Sequence, residues 1–521
     1  MRILVMLDRS RPLGDQVYLQ LREAVLGGTL RPGDRLPATR QLAASLHIAR
    51  NTVAAAYARL RMEGYVTGMR SRGTRVSGDL PRSAFRPPSE RSPAASRSPR
   101  AGGRRPGGPS PRIRISRYGR RVLARPDIFP PAVRTDRSRL DIDFDYNVNL
   151  SDAASRRAWS RLLRRASARH EIAAPRYDFR RGPEPLQAAL ARHLRLTRGV
   201  IAQPEQIIVT AAYQGAFHLA ARVLMNPGDG VVIEDPQAIR VRHAFLTAGM
   251  RLHAVGGDAS GMRTDRLPRP GRTRGTAGGI RLAYTSASCG WVTGAMLPLA
   301  RRLALLEWAR RSDAWIIEND HNSEYVYHGT PVQSLQGLDQ DGRVIYVGTL
   351  SRLLAPDPLI GFLVVPERLV EAFAAAALVE GHYASPLDRE VLARFIDSGE
   401  MEALLRRATR RLRERRHALL EALASLDGVT VSVHDAQGGL HLHATLPRVA
   451  AADLDLLVAS AARAGIGVFP DRPYYIRAPR VPGLLLGFAG LDARSIAGGV
   501  ARLGALIASF ERRRGVGRPG A

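Results

Sequence analysis

Between about residue 138 and residue 513 the chain alternates segments of helical periodicity with short runs of β-branched and other apolar residues, Val344-Ile-Tyr-Val347 and Leu363-Val-Val365 among them. That alternation leaves few packings open. It predicts an α/β fold built on a largely parallel sheet. The stretch "GTLSRLLAPDPLIGF" (348–362) hangs between two such runs and reads as a loop between buried strands, a position where chemistry is often carried. It puts a cation, Arg352, where the chain leaves the first strand.

The rest of the 521 residues divides by composition, and the length exceeds one ordinary domain. Residues 1–78 are compact and mixed. Residues 79–137 are rich in Pro, Ser, Gly and Arg ("RSPAASRSPRAGGRRPGGPSPR") and cannot bury enough surface to offset chain entropy, so a flexible basic linker is expected. A disordered tail is expected over 514–521 ("RGVGRPGA"). No apolar run reaches the length of a membrane span, and the opening Met1–Leu7 is too short for a signal peptide's apolar region. The single cysteine, Cys289, excludes an intrachain disulfide framework and suits a reducing cytoplasm.

The sequence contains no lysine: all 78 basic residues are arginine. Whatever produced this, no side chain can form a Schiff base, because guanidinium stays protonated. The formal net charge of +31 points to a polyanionic partner.

In "GDQVYLQLREAVLGGTLRPGD", Val17, Leu21, Val25 and Leu26 recur at helical spacing and Gly27-Gly28 stops the helix. "LPATRQLAASLHIARNTVAAAYARLRMEGYV" gives two short helices, about 39–46 and 50–62, joined through His47-Ile48-Ala49. Leu42, Leu46, Val53, Tyr57 and Leu60 form their apolar face, and Thr39, Arg40, Arg50, Asn51 and Thr52 stand at the helix starts. A helix-turn-helix needs polar groups there to meet phosphates and base edges. "EGYVTGMRSRGTRVSG" then reads as a hairpin carrying Arg70, Arg72 and Arg75.

These residues resemble the GntR-type winged helix-turn-helix over about 65 positions, through "GTLRPGDRLPATRQLA", "ARNTVAAAYARLRMEGYV" and "RGTRV". The resemblance implies binding to a double-stranded DNA operator through Arg40, Arg50, Asn51 and Thr52, with Gly73 shaping the wing. Ala38 and Ala49 stand where the family usually has serine, and a lost N-cap costs about 0.5–2 kcal/mol.

The large region resembles fold-type I aminotransferases, arranged as in the MocR subfamily of GntR regulators. The likeness runs through "RYDFRRGPEPLQAALARHLRLTRGV", "IIVTAAYQGAFHLAARVLMNPGDGVVIEDP", "RRLALLEWARRSDAWIIENDHNSEYVY" and "VGTLSRLLAPDPLIGFLVVP". It implies a mostly parallel sheet flanked by helices, a smaller C-terminal α/β subdomain, and a homodimer. In that family the loop reads approximately "GTFSKTLAPALRLGY", and its lysine forms the internal aldimine with pyridoxal phosphate. Here Ser351 precedes Arg352 at the lysine position, and the phosphate-holding arginine corresponds to Leu359. The family's "EDDYDSE" becomes Glu318–Glu324, so the acid that pairs with the pyridinium nitrogen is Asn319 and the tyrosine near the ring hydroxyl is His321. "TPSHQFPTG" has become "SASCGWVTG" (286–294), and the aromatic expected near the ring falls on Ala238. Gly182 and "TAAYQGA" (210–216) keep the family character, placing Tyr213 and Gln214 at a helix start suited to an anion.

Each substitution removes a part of the chemistry. A neutral Asn319 cannot keep the ring protonated, and Leu359 removes a contact worth about 1.5–3 kcal/mol. The expectation is a regulator whose aminotransferase-like domain is inactive, with no covalent pyridoxal phosphate and no catalytic residues. Reversible binding of that cofactor or another small anion at Arg352 stays open. A pyridoxal phosphate-dependent aminotransferase fused to a DNA-binding arm is the alternative, and a decayed regulator without ligand is a third. Cys289 reads as a small buried apolar residue. His441 and His443 alternate on a strand without the companions a metal site needs. "RRATRRLRERRHALLEAL" reads as a helix with Leu404, Leu405, Leu412 and Leu419 inward.

Overall fold

The computed structural model describes residues 5–69, 73–78, 115–125, 137–168, 184–269, 279–327, 332–354, 359–434 and 438–516. The chain divides into two compact units, Met1–Arg112 and Ile113–Ala521.

The first unit contains α1 (Leu13–Leu26), α2 (Thr39–Leu46), α3 (Arg50–Met62) and a hairpin of β1 (Val66–Met69) and β2 (Gly73–Val76). Val17, Leu21, Val25, Leu42, Val53, Tyr57 and Leu60 close into one core, as the helical spacing requires. Leu46 packs against it half-buried. The strands pair antiparallel, Val66 opposite Val76. Arg70 and Arg72 lie outside the described residues.

The second unit opens with α4 (Arg117–Leu123) and β3 (Ile142–Asp143). The first of these lies inside the stretch expected to be linker. Ser116 caps it by accepting from the Gly119 N–H at 3.0 Å, and Arg121 donates to the Thr247 carbonyl at 2.9 Å. One cap and one docked arginine thus order a short helix that composition alone masks.

Next come α5 (Ala153–Ala168), α6 (Pro185–Arg198), β4 (Ile207–Ala211), α7 (Tyr213–Leu224), β5 (Gly230–Asp235), α8 (Ile239–Ala248), β6 (Arg251–Asp258) and β7 (Gly261–Met262). They are followed by β8 (Ile280–Thr285), α9 (Leu299–Ser312), β9 (Trp315–Asp320), α10 (Leu335–Leu338), β10 (Val344–Thr349), α11 (Ser351–Leu354), β11 (Ile360–Val364) and α12 (Val370–Val379). The large sheet has eight strands in the order β4-β11-β10-β9-β8-β5-β6-β7. From β10 to β6 neighbours run parallel, whereas β11 is antiparallel to both its partners. Such an arrangement needs helices on both faces, and the strand residues Val231, Ile233, Leu282, Ile317, Ile345 and Val347 are buried with Phe217 and Phe245 from those helices.

The chain ends with α13 (Pro386–Asp397), α14 (Glu400–Ala424), β12 (Ser432–His434), β13 (His441–Thr445), α15 (Leu454–Arg463), β14 (Ile466–Gly467), β15 (Phe469–Pro470), β16 (Gly483–Gly487) and α16 (Ala493–Val516). A four-stranded sheet, β12-β13-β16-β15, forms the smaller layer, and β14 pairs with β3. Leu404, Leu412 and Leu419 of α14 face inward and Leu405 packs at the margin. The last helix continues to Val516, into the expected tail, of which 517–521 lie outside the described residues. Gly182 lies outside them as well.

Candidate functional site

In the first unit α2 and α3 begin where the sequence places them. The N-terminal arginines Arg40 and Arg50 are exposed with Asn51, while Thr52 is half-buried and would touch a Cβ at Gly14 with its methyl group at 3.6 Å. Among the described residues no carboxylate pairs with Arg40 or Arg50, which leaves both guanidinium groups for an external anion. Neither Ala38 nor Ala49 supplies a side-chain cap, but the Gln41 side chain accepts from the Ala38 N–H at 3.3 Å and recovers one bond. His47 closes α2 in the left-handed conformation (φ 52°), which sets the turn between the helices. Gly73 has φ +77°, and a Cβ there would meet the Arg35 guanidinium at 3.0 Å, so the start of β2 favours glycine. Arg75 is exposed and donates to the Gly33 carbonyl at 2.8 Å.

In the second unit the residues singled out by sequence meet at the C-terminal ends of the parallel strands, where open α/β sheets bind ligands. Asn319 is the penultimate residue of β9, His321 follows that strand, and Ser351 and Arg352 follow β10. Asn319 is buried, and both ends of its amide have partners. Its Oδ1 accepts from the Tyr213 hydroxyl, and its Nδ2 donates to the Tyr284 hydroxyl at 2.6 Å and reaches Ser286 Oγ at 3.3 Å. The ring of His321 lies 4.6 Å from that of Trp291, and burial, reinforced by the Arg352 charge, pushes its pKa down to about 3, so the imidazole is neutral.

Arg352 is half-buried. It donates through Nη1 to the Tyr146 carbonyl at 3.1 Å, and its guanidinium carbon lies 5.8 Å from the Trp291 ring centre. Among the described residues no carboxylate forms a salt bridge with it. His441 lies edge-on to Tyr146, donates to the Val292 carbonyl at 3.0 Å, and is held down to about 4, mainly by burial. His443 instead pairs with Asp471 at 2.9 Å. Cys289 is buried, and that burial pushes its thiol up to about 12.

The Ser351 hydroxyl is engaged within its own loop. It donates to the Ile360 carbonyl at 3.3 Å and accepts from Thr349 Oγ1 at 3.0 Å, linking the end of β10 to the start of β11. Leu359 is 60% exposed, and its carbonyl accepts from the Ala212 N–H at 2.7 Å. Gln214 is turned away to the Arg240 carbonyl at 2.8 Å. Ala238 is buried as the N-cap of α8. Sequence reasoning passed over Tyr146, Tyr284, Trp291 and the buried Arg198–Asp320 pair. Of these, Trp291 stood within "SASCGWVTG" and Asp320 within Glu318–Glu324, motifs that could have drawn attention to them.

The pattern of bacterial regulatory proteins of the gntR family matches residues 13–76. The chain is 34% identical to the probable rhizopine catabolism regulatory protein MocR of Rhizobium meliloti, over 98% of this chain and 97% of that protein. It is 29% identical to the HTH-type pyridoxine biosynthesis transcriptional regulator PdxR of Corynebacterium glutamicum, covering 92% of each. Among solved structures, the kynurenine aminotransferase of Pyrococcus horikoshii superposes with a TM-score of 0.65 at 25% identity, over 76% of this chain and 95% of its own. This chain thus carries a helix-turn-helix whose two exposed helix-start arginines have no carboxylate partner among the described residues, followed by an aminotransferase-like sheet, and its likeness to MocR runs through both. The chain belongs to the MocR-type transcriptional regulators of the GntR family.

Proposed function

We propose that this regulator binds its operator through Arg40, Arg50, Asn51 and Thr52, and that its large domain performs no amino-group transfer. That domain serves instead to dimerise the protein and to sense a small anionic effector. The observation that carries this reading is Arg352, at the place of the family's Schiff-base lysine, in a chain that has no lysine. An internal aldimine needs an amine that can lose its proton, and guanidinium does not. Three further features oppose the cofactor: Asn319 carries no charge for a ring nitrogen, Leu359 offers no donor to a phosphate, and Ala238 offers no ring to stack on. The residues present do not fit covalently held pyridoxal phosphate, and no catalytic step is assigned.

Arg352 supports the sensing role. A guanidinium oriented by the Tyr146 carbonyl and Trp291, with no salt-bridge partner among the described residues, suits a small carboxylate or phosphate. Fold-type I sites are completed at a subunit interface and GntR arms engage paired half-sites, which favours a homodimer. Among the described residues no helix is long and apolar enough to cross a membrane, and the reading places the protein in the cytoplasm with its DNA. The test pairs two assays on full-length protein. Light scattering should give a dimer, and incubation with pyridoxal phosphate, an amino acid and a keto acid should give no transfer above the protein-free rate. Transfer by the wild-type chain would return the reading to a fused aminotransferase.

A further inference from the structure

Tyr213 opens α7, at a helix start where a side chain ordinarily packs on its own helix or meets solvent. The residue before it is strained. Ala212 sits at φ 62° and ψ 150°, a region populated almost only by glycine. Its surroundings hold it there: its N–H donates to the Leu359 carbonyl at 2.7 Å and its own carbonyl accepts from Thr210 Oγ1 at 3.2 Å. Behind it, Gly361 of β11 comes so close that a Cβ would stand 2.7 Å from Tyr213 Cα. From this start the phenol packs edge-on against Phe217, ring centres 4.8 Å apart, and its hydroxyl donates to Asn319 Oδ1.

We infer that Tyr213 is the chain's own occupant of the place a pyridine ring takes in the aminotransferases this domain resembles, so that a pyridoxal-type ring is excluded there. A protonated pyridine and a phenol present the same feature, one donor hydrogen at the end of a six-membered aromatic ring. Position 319 can face one such ring. Here its acceptor oxygen already takes the Tyr213 proton, and its donor nitrogen is turned to Tyr284, Ser286 and His321. Burial also pushes the Tyr213 pKa upward, which keeps the phenol a donor. The inference rests on the reading of this pocket as a degenerate cofactor site, and it narrows the effector to a small anion without a pyridine ring.

The test uses 4′-deoxypyridoxine 5′-phosphate, which has the ring and phosphate but no aldehyde, so its outcome is independent of whether any Schiff base forms. Titrated calorimetrically into full-length protein, it should show no saturable binding to wild type up to about 1 mM. Tyr213→Ala should bind at least about tenfold more tightly than that limit, and Tyr213→Phe, which keeps the ring, should not bind. Saturable binding to wild type, or a folded Tyr213→Ala protein that binds no better than wild type, overturns the inference. Tyr213→Ser carries the same expectation if the alanine variant fails to fold, and the wild-type titration overturns the inference without any variant.

Discussion

Arg198 Nε donates to Asp320 Oδ2 at 2.7 Å, and both side chains are almost wholly withdrawn from water, at 3% and 1% exposure. The pair links the end of α6 to the end of β9, one residue beyond Asn319. Further hydrogen bonds hold it: Arg198 also donates to Ser288 Oγ at 2.6 Å and the Val332 carbonyl at 2.8 Å, and the Tyr346 hydroxyl donates to the same carboxylate oxygen at 2.6 Å. Burial alone would raise the Asp320 pKa, but Arg198 and the hydroxyl donors outweigh it and hold the group below its ordinary value.

Arg198→Met should therefore destabilise the large domain by about 3–5 kcal/mol, because it leaves a buried carboxylate unpaired. A carboxylate with a lowered folded pKa contributes stability above its unfolded value, near 3.8, and loses it as pH falls through the folded pKa. Wild type should keep this contribution down to about pH 4. The variant's deficit should shrink on acidification, as the orphaned group takes up a proton. Denaturant titrations at neutral and mildly acidic pH check both statements.

His321 and His441 act with the same sign in a higher pH window, between their folded values and 6.5. Burial, the larger cause for both, lowers them to about 3 and about 4, with Arg352 adding to the effect. Each is neutral in the folded chain and takes up a proton on unfolding below its ordinary value of 6.5. Stability is then fully present above that value and falls as pH drops toward the folded values, by up to about 1.4 kcal/mol per pH unit for each group. His441→Gln keeps a donor for Val292 and should flatten the acid limb of a plot of melting temperature against pH.

Arg50→Ala in the full-length protein should abolish specific operator binding. Arg40→Ala should weaken binding across sequences and reduce the salt slope by about 1 if it neutralises a single phosphate. Fluorescence anisotropy over a range of salt concentrations separates the two roles, and unchanged affinity for Arg50→Ala would remove the assignment.

Gly73→Ala should cost about 1–2 kcal/mol in the DNA-binding unit, from the left-handed backbone, and must displace the Arg35 side chain. Calorimetry should show the loss in that unit's transition and leave the large domain's transition unmoved.

The winged unit is legible in the sequence because local rules govern it. Apolar spacing fixes α2 and α3, and Gly73, which the family resemblance marks as shaping the wing, has a positive φ. The α/β alternation likewise announces the large sheet, and the loop at Arg352 falls at its strand ends as the flanking apolar runs require. What escapes depends on contacts distant in the chain. The helix Arg117–Leu123 is docked by a hydrogen bond from Arg121 to Thr247, which no local pattern encodes. The path of Tyr213 to Asn319 is set by the strained Ala212 and the close approach of Gly361, neither of which has a signature in residue type alone. The partner of Arg198 lies 122 positions away.

The reading of the large domain as a regulator's sensor turns on Arg352 ending its Schiff-base chemistry. The decisive measurement is the absorbance spectrum of the purified protein with added pyridoxal phosphate, followed by borohydride reduction and peptide mapping. The large domain should contribute no aldimine band, and no pyridoxyl adduct should map to any of its side chains. An aldimine band that survives removal of free cofactor, with a reduced adduct mapped to residues 138–513, would refute the role assigned to Arg352.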